Sequence, residues 1–162
     1  MNAMNGYSLS PTQIGAIAEA LVASGLMQAS GGRLAPFRPV ADDDGIDLLM
    51  YDKATGNAIP LQVKSRTGTD GSAGTTVQFD LRLSTFRPDG KGYLLAVLMK
   101  DGAPDTLWLI PMADLPGLTR RGPDRLVMVA SPSLDSRDRY SPYRCSHLQE
   151  VSGRLVRAKK KC

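Results

Sequence analysis

Two short stretches constrain this chain more than its composition does: Asp44-Gly45-Ile46-Asp47-Leu48, and Gln62-Val63-Lys64 fifteen residues after Asp47. Each is embedded in strand-like sequence. Between them, Asp52-Lys53-Ala54-Thr55-Gly56-Asn57 has the chemistry of a hairpin loop. Residues 46–51 read as one strand and residues 59–66 as its return partner. Side chains alternate across a strand. Ile46, Leu48 and Met50 therefore share one face and Asp47 points the other way. Leu61 and Val63 likewise share a face, with Gln62 and Lys64 opposite. A hairpin folded about residues 54–56 sets position 47 against positions 62 to 64. Asp47, Gln62 and Lys64 then converge on one face while the aliphatic residues fill the other.

Upstream, Ser10-Pro11-Thr12-Gln13 is a capping box with proline at the first helical position. Ile14, Ile17, Ala18, Leu21 and Val22 follow at the spacing of one helical face. The pattern predicts a helix that ends near Gly25 or runs on to Ser30, broken by Gly31-Gly32. At about 100° per residue Glu19 falls at the edge of the apolar stripe, beside Gly15 and Leu26. A carboxylate there can look along the packed interface toward a neighbouring sheet. Gly15, one turn earlier, leaves room for close approach.

The rest of the chain alternates strands and loops. Residues 33–40 read as an edge strand or extended connector, and residues 67–75 as a Gly/Ser/Thr-rich loop. Val77, Phe79, Leu81 and Leu83 recur at period two, the mark of a half-buried strand. Residues 93–99 are almost continuously apolar, as in a buried central strand. Residues 106–111 and 126–130 are further strands, 112–118 a helical turn and 131–144 a loop. Leu148, Val151, Leu155 and Val156 predict a final helix, with Gly153 as its weak point. Together these imply an α/β fold, a central mixed sheet with the N-terminal helix packed on it. One domain is expected over residues 1–158, with Lys159-Lys160-Lys161 opening a basic tail over 159–162.

The hairpin's polar face suits a hard divalent cation. Mg²⁺ takes oxygen ligands and keeps several waters. Asp47 supplies a carboxylate, Gln62 a neutral amide oxygen and Val63 a backbone carbonyl, while Glu19 binds directly or through water. Such an ion lowers the pKa of bound water and neutralises charge on a phosphate. Lys64 is a point charge that holds the phosphate or orients the attacking water. Ser65, Arg66 and Arg33 are candidates to touch the nucleic-acid backbone, although solvated strand ends would carry the same residues. The plain alternative for Asp47 and Lys64 is a cross-strand ion pair, worth about 1 kcal/mol at most. Asp42 and Asp43 read as turn residues, and Trp108 and Tyr93 as core.

Other chemistries are poorly served. The single histidine, His147, excludes most multi-histidine metal sites. Cys145 and Cys162 form no CxxC pair, and Cys145 and His147 are too close on one segment to make a nucleophile dyad. Free thiols fit a reducing cytoplasm. No signal peptide is evident, no apolar run is long enough to span a bilayer, and no membrane partner is expected. The net charge of +4 permits a polyanionic partner without demanding one.

The pattern resembles the PD-(D/E)XK nuclease superfamily, most closely its Holliday-junction resolvase-like and restriction-endonuclease-like branch. The matching stretches are Gly15-Ala16-Ile17-Ala18-Glu19, Asp44-Gly45-Ile46-Asp47 and Gln62-Val63-Lys64-Ser65, within residues 12–66. The resemblance implies a restriction-endonuclease-like core and Mg²⁺- or Mn²⁺-dependent hydrolysis of phosphodiester bonds in DNA. It implies metal ligation by Glu19, Asp47 and Gln62 and a catalytic lysine at Lys64. Related nucleases often act as homodimers. Gln62 stands where an acid is commoner, which removes one negative charge and weakens metal affinity. A nuclease-fold protein that binds nucleic acid without cutting, or one that binds a protein partner, is the alternative.

Overall fold

The Ser10 hydroxyl accepts the Gln13 N–H while the Gln13 side chain accepts the Ser10 N–H, so the capping box closes as its sequence requires. It starts α1 (Pro11–Ala29) in a computed structural model that describes residues 6–41, 44–68, 76–88 and 90–157. The helix runs to Ser30, the longer of the two expected ends, and the chain leaves it through Gly31-Gly32. Its buried stripe is Ala18, Val22 and Leu26, whereas Ile17, expected on that face, is 37% exposed. The helix packs on both the sheet and the last helix, and this double contact rotates the buried face toward the i, i+4 row.

The strands follow as β1 (Leu34–Phe37), β2 (Leu48–Asp52), β3 (Asn57–Thr67), β4 (Val77–Arg82), β5 (Tyr93–Lys100) and β6 (Ala103–Pro111). After them come α2 (Leu115–Leu118), β7 (Arg120–Arg121), β8 (Arg125–Ala130), β9 (Arg144–Cys145) and α3 (Leu148–Arg157). Six strands form a mixed sheet in the order β1-β2-β3-β5-β6-β9, in which only β3 and β5 are parallel. β4, β8 and β7 form a separate antiparallel sheet. The strand expected from Val77, Phe79 and Leu81 is therefore present, paired with β8 in this second sheet. β5 returns into β6 through Asp101 and Gly102, both at positive φ (50° and 74°), as a tight hairpin turn requires.

The central sheet is covered on both faces. Leu48, Met50, Leu61, Val63, Leu95 and Val97 meet Ala18, Val22, Leu26, Val151 and Leu155 on the helical side. Leu94, Ala96, Leu98, Trp108 and Ile110 meet Phe79, Leu81, Leu126 and Met128 on the side of the small sheet. Phe79 and Trp108 stack edge to face at 5.9 Å. β5 thus buries both faces, which is why its sequence is apolar without alternation. α1 and α3 press together so closely that a side chain at Gly25 would run into Leu148.

The glycine-rich segment 69–75, Asp42, Asp43 and the basic tail lie outside the described residues. Where residues 131–144 were expected to be loop, the chain adds one turn of 3-10 helix at Ser141–Tyr143 and then enters β9. Among the described residues no helix is long and apolar enough to cross a membrane.

Candidate metal and phosphodiester site

β2 and β3 pair from Asp52↔Asn57 to Leu48↔Leu61, and the pairing stops there. Asp47 lies one residue beyond. Its N–H donates to the Leu61 carbonyl at 2.9 Å, and its carboxylate accepts the Val63 N–H at 2.6 Å. The side chain has taken the place of the next rung of the ladder. A hydrogen bond to an ionised acceptor of this kind is worth about 1.5–3 kcal/mol. The carboxylate therefore sits near the plane of the sheet, in the gap where β2 has ended.

That placement says where the Val63 carbonyl points. In a strand the N–H and C=O of one residue project to the same side. The Val63 N–H reaches toward Asp47, so its carbonyl also faces the gap left by β2. The residues on either side, Gln62 and Lys64, face the small sheet, because they are in register with Leu94 and Ala96 of β5. Leu61 and Val63 face the helices. The alternation expected from sequence holds at every one of these positions.

Gln62 is 4% exposed, and its Oε1 atom is buried with no hydrogen-bond partner among the described residues. An unmade hydrogen bond at a buried polar atom costs about 1–3 kcal/mol, so such atoms call for an explanation. Lys64 is half-buried, and no carboxylate among the described residues lies within ion-pair distance of its ammonium group. The simple Asp47–Lys64 ion pair is thus not what these residues make.

Glu19 comes from α1, on the helical side of the sheet. Its side chain is 28% exposed, and Oε2 lies 3.9 Å from the Arg38 guanidinium. Arg38 in turn borders a depression shared with Asp44 and Ile46, the residues leading into Asp47. Asp47, Gln62, Val63 and Lys64 are thus brought together by the hairpin, and Glu19 stands across the sheet from the face that carries Gln62 and Lys64.

Arg66 continues the row of Gln62 and Lys64 but reaches to β4, where its Nε donates to the Gln78 carbonyl at 2.9 Å and its guanidinium lies 3.7 Å from Asp80. Ser65, by alternation, turns to the helical side. Arg33 is held bidentately by Asp52, at 2.7 and 2.9 Å. Asp52, which reads in sequence as an ordinary turn residue, is buried, and the Arg33 hydrogen bonds hold its carboxyl down to about 2.

Gln62 also lines a cleft of about 320 Å³ between the hairpin and the chain that leads from β4 to β5. Its walls include Gly45, Thr85, Arg87 and Lys91. Gly45 has φ of 67°, and a Cβ there would lie 2.9 Å from both the Thr85 Cβ and its carbonyl oxygen. Only glycine fits this backbone and this contact. It presses the Asp44–Asp47 segment against the cleft wall. Arg87 and Lys91, which bring two cations beside Gln62, escape sequence reasoning. Their only signal is that they flank the Pro88-Asp89-Gly90 turn.

The oxygen set fits a hard divalent cation: one carboxylate, an unpartnered buried amide oxygen and a backbone carbonyl aimed at the same gap. Among the described residues no group of three His, Cys, Asp or Glu side chains is gathered for a metal ion. Cys145 and His147 make no site of their own. Burial pushes the Cys145 thiol up to about 11, and the His147 Nδ1 accepts the Glu150 N–H at the start of α3.

No protein-family model matches the sequence, and no curated protein matches it. Solved structures do. A bacterial homing endonuclease, I-Ssp6803I, superposes with a TM-score of 0.64 at 18% identity, over 95% of this chain and all of that one. A Holliday junction resolvase, Hjc of the archaeal hyperthermophile Archaeoglobus fulgidus, matches with a TM-score of 0.43 at 12% identity, over 79% of this chain and 96% of that one. The match with the first extends over nearly the full length of both chains. The chain has a restriction-endonuclease-like α/β fold, a mixed central sheet with the N-terminal helix packed on it, and shares that fold with this homing endonuclease.

Proposed function

We propose that this protein is a divalent-metal-dependent endonuclease that hydrolyses phosphodiester bonds in DNA. The observation that carries this reading is the buried Gln62 Oε1 without a hydrogen-bond donor, next along β3 from the N–H that anchors Asp47. An orphaned oxygen beside a fixed carboxylate is costly in an apoprotein and useful to a cation. The fold shared with the homing endonuclease I-Ssp6803I supports the same reading.

In this proposal Asp47, Gln62 Oε1 and the Val63 carbonyl would hold Mg²⁺ or Mn²⁺, and Glu19, on the helical side of the sheet, would act on the ion only through water. When bound, the ion neutralises phosphate charge and makes a bound water more acidic. The protein's own part is positional. The Val63 N–H fixes the Asp47 carboxylate in one orientation. Lys64, with no carboxylate partner among the described residues, is available to a phosphate oxygen, where a preorganised cation stabilises the charge that builds during hydrolysis. Arg87 and Lys91 add positive potential along the cleft and favour entry of a polyanion.

The test uses plasmid, linear and branched DNA with Mg²⁺ or Mn²⁺, and compares the protein with Lys64→Ala. Metal-dependent cleavage that falls by roughly 10²–10³-fold in the variant is the expected result. Equal cleavage by both proteins would assign the activity elsewhere. Absence of cleavage on every substrate would favour a nuclease fold that binds nucleic acid without cutting, or one that binds a protein partner.

A further inference from the structure

The small sheet carries an outward face that neither core explains. In β4, Phe79 and Leu81 point inward, so Asp80 and Arg82 point out. In β8, Leu126 and Met128 point inward, and Arg125 points out. The register sets Arg82 directly opposite Arg125, and Arg120 of β7 opposite Val127, next but one along the same face. Like charges directly opposite in a sheet are unfavourable. Asp80 and Asp124 offset part of this. Asp80 lies 3.8 Å from Arg125 and 3.7 Å from Arg66, and Asp124 holds Arg125 at 2.9 Å. Asp80 is committed to Arg125 and Arg66, Asp124 binds Arg125 and also attracts Arg82 from beyond ion-pair distance, and neither Arg82 nor Arg120 has a direct ion-pair partner among the described residues.

This face is joined to the candidate site. Gln62, Lys64 and Arg66 form one row on β3, and Arg66 bridges to β4 through the Gln78 carbonyl and Asp80. From there Arg125, Arg82 and Arg120 continue the positive charge across the small sheet. We propose that this arginine face binds the phosphate backbone of duplex DNA and delivers the strand to Lys64, because β4 and β8 set Arg82 against Arg125 in a row that leads from the site. This deepens the nuclease reading and rests on it for the destination of the strand, but not for the binding itself. Phosphates spaced along a duplex satisfy both the repulsion between facing arginines and the elongated outline of the row. Arginine forks bond such oxygens bidentately.

The experiment measures binding of a non-specific fluorescent duplex by anisotropy, without divalent metal, across a salt series. It compares the full chain with Arg82→Ser/Arg120→Ser and with Lys53→Ser/Arg157→Ser. The second pair removes the same charge from the β2–β3 hairpin turn and from α3 on the helical side. Circular dichroism confirms that each variant is folded. The expected result is an affinity loss of about tenfold or more for the first pair, with the slope of log K against log salt reduced by about 1–2. The control pair should retain most of the affinity. Equal losses in the two pairs would mean that only net charge matters, and would overturn the proposal. So would full affinity in the first pair, or no binding by the unsubstituted protein. Cleavage assayed in parallel separates the two readings. Binding lost at the arginine face in a protein that never cuts would sink the nuclease alone. Cleavage with unaltered binding would sink the arginine face alone.

Discussion

The Asp47 carboxylate accepts the Val63 N–H at 2.6 Å, so one side chain both ends the β2–β3 ladder and occupies the centre of the candidate site. Structure and chemistry can be separated there. Asp47→Asn keeps an acceptor for Val63 and should keep most of the stability, whereas Asp47→Ala leaves that N–H bare and should lose about 1–3 kcal/mol. Both should lose metal-dependent cleavage. Thermal melts beside cleavage assays check this. An active Asp47→Asn protein would remove Asp47 from the ligand set.

Gln62 should be dispensable to the fold. Its Oε1 makes no hydrogen bond to any described residue. Gln62→Met, similar in shape and apolar, should therefore leave stability within about 1 kcal/mol or raise it. It should also abolish any rise in melting temperature caused by Mn²⁺. Gln62→Glu should do the reverse: lower stability without metal, because a second charge is buried near Asp47, and a larger gain when Mn²⁺ is added. A melting temperature indifferent to metal in all three proteins would argue against a cation at this site.

Gly45→Ala should damage the site through its backbone. The substitution meets both a positive φ and the Thr85 contact, and a loss of about 1–3 kcal/mol is expected. Urea denaturation measures it. A neutral outcome would mean that the Asp44–Asp47 segment does not depend on the cleft wall.

The Arg33–Asp52 pair predicts acid sensitivity. Asp52 titrates at about 2 in the folded protein, below its ordinary value of 3.8, chiefly because Arg33 hydrogen-bonds it. A depressed carboxyl contributes stability that is fully present above its unfolded pKa and is lost as pH falls through the folded one. Asp52→Ala should therefore be less stable than the parent at pH 7, and the gap should narrow from about pH 4 toward pH 2. Chemical denaturation at several pH values tests the convergence. A gap independent of pH would point to packing alone.

Arg82→Gln should stabilise the protein slightly. It removes the like-charge opposition to Arg125. A rise of about 1–2 °C in melting temperature at low salt, shrinking as salt is added, is expected. A fall would show that Arg82 supports the sheet.

Local sequence was enough for much of this architecture. The Ser10 cap, the parity of residues 46–51 and 59–66, and the unbroken apolar run of β5 are each short-range signals, and each names its element. The hairpin residues of the site were legible for the same reason, since alternation and a turn settle which side chains meet. Long-range partners were not legible. Nothing near Asp52 announces that Arg33 will clasp it, nor does the β4 segment disclose that it leaves the central sheet to pair with β8. Ile17 was misassigned because period alone cannot say against which neighbours a helix will pack. Arg87 and Lys91 enter the cleft only once tertiary folding returns their loop to Gln62.

The parallel pairing of β3 with β5 has an evolutionary implication. A chain that ends one strand at Thr67 and begins its parallel neighbour at Tyr93 must travel back along the whole sheet. That obligatory detour contains β4, Thr85, Arg87 and Lys91. Lengthening, shortening or recharging it would reshape what the protein grips while leaving the scaffold's hydrogen-bonded centre untouched. In the proposed nuclease, a change of target preference would therefore need drift in only a single connection.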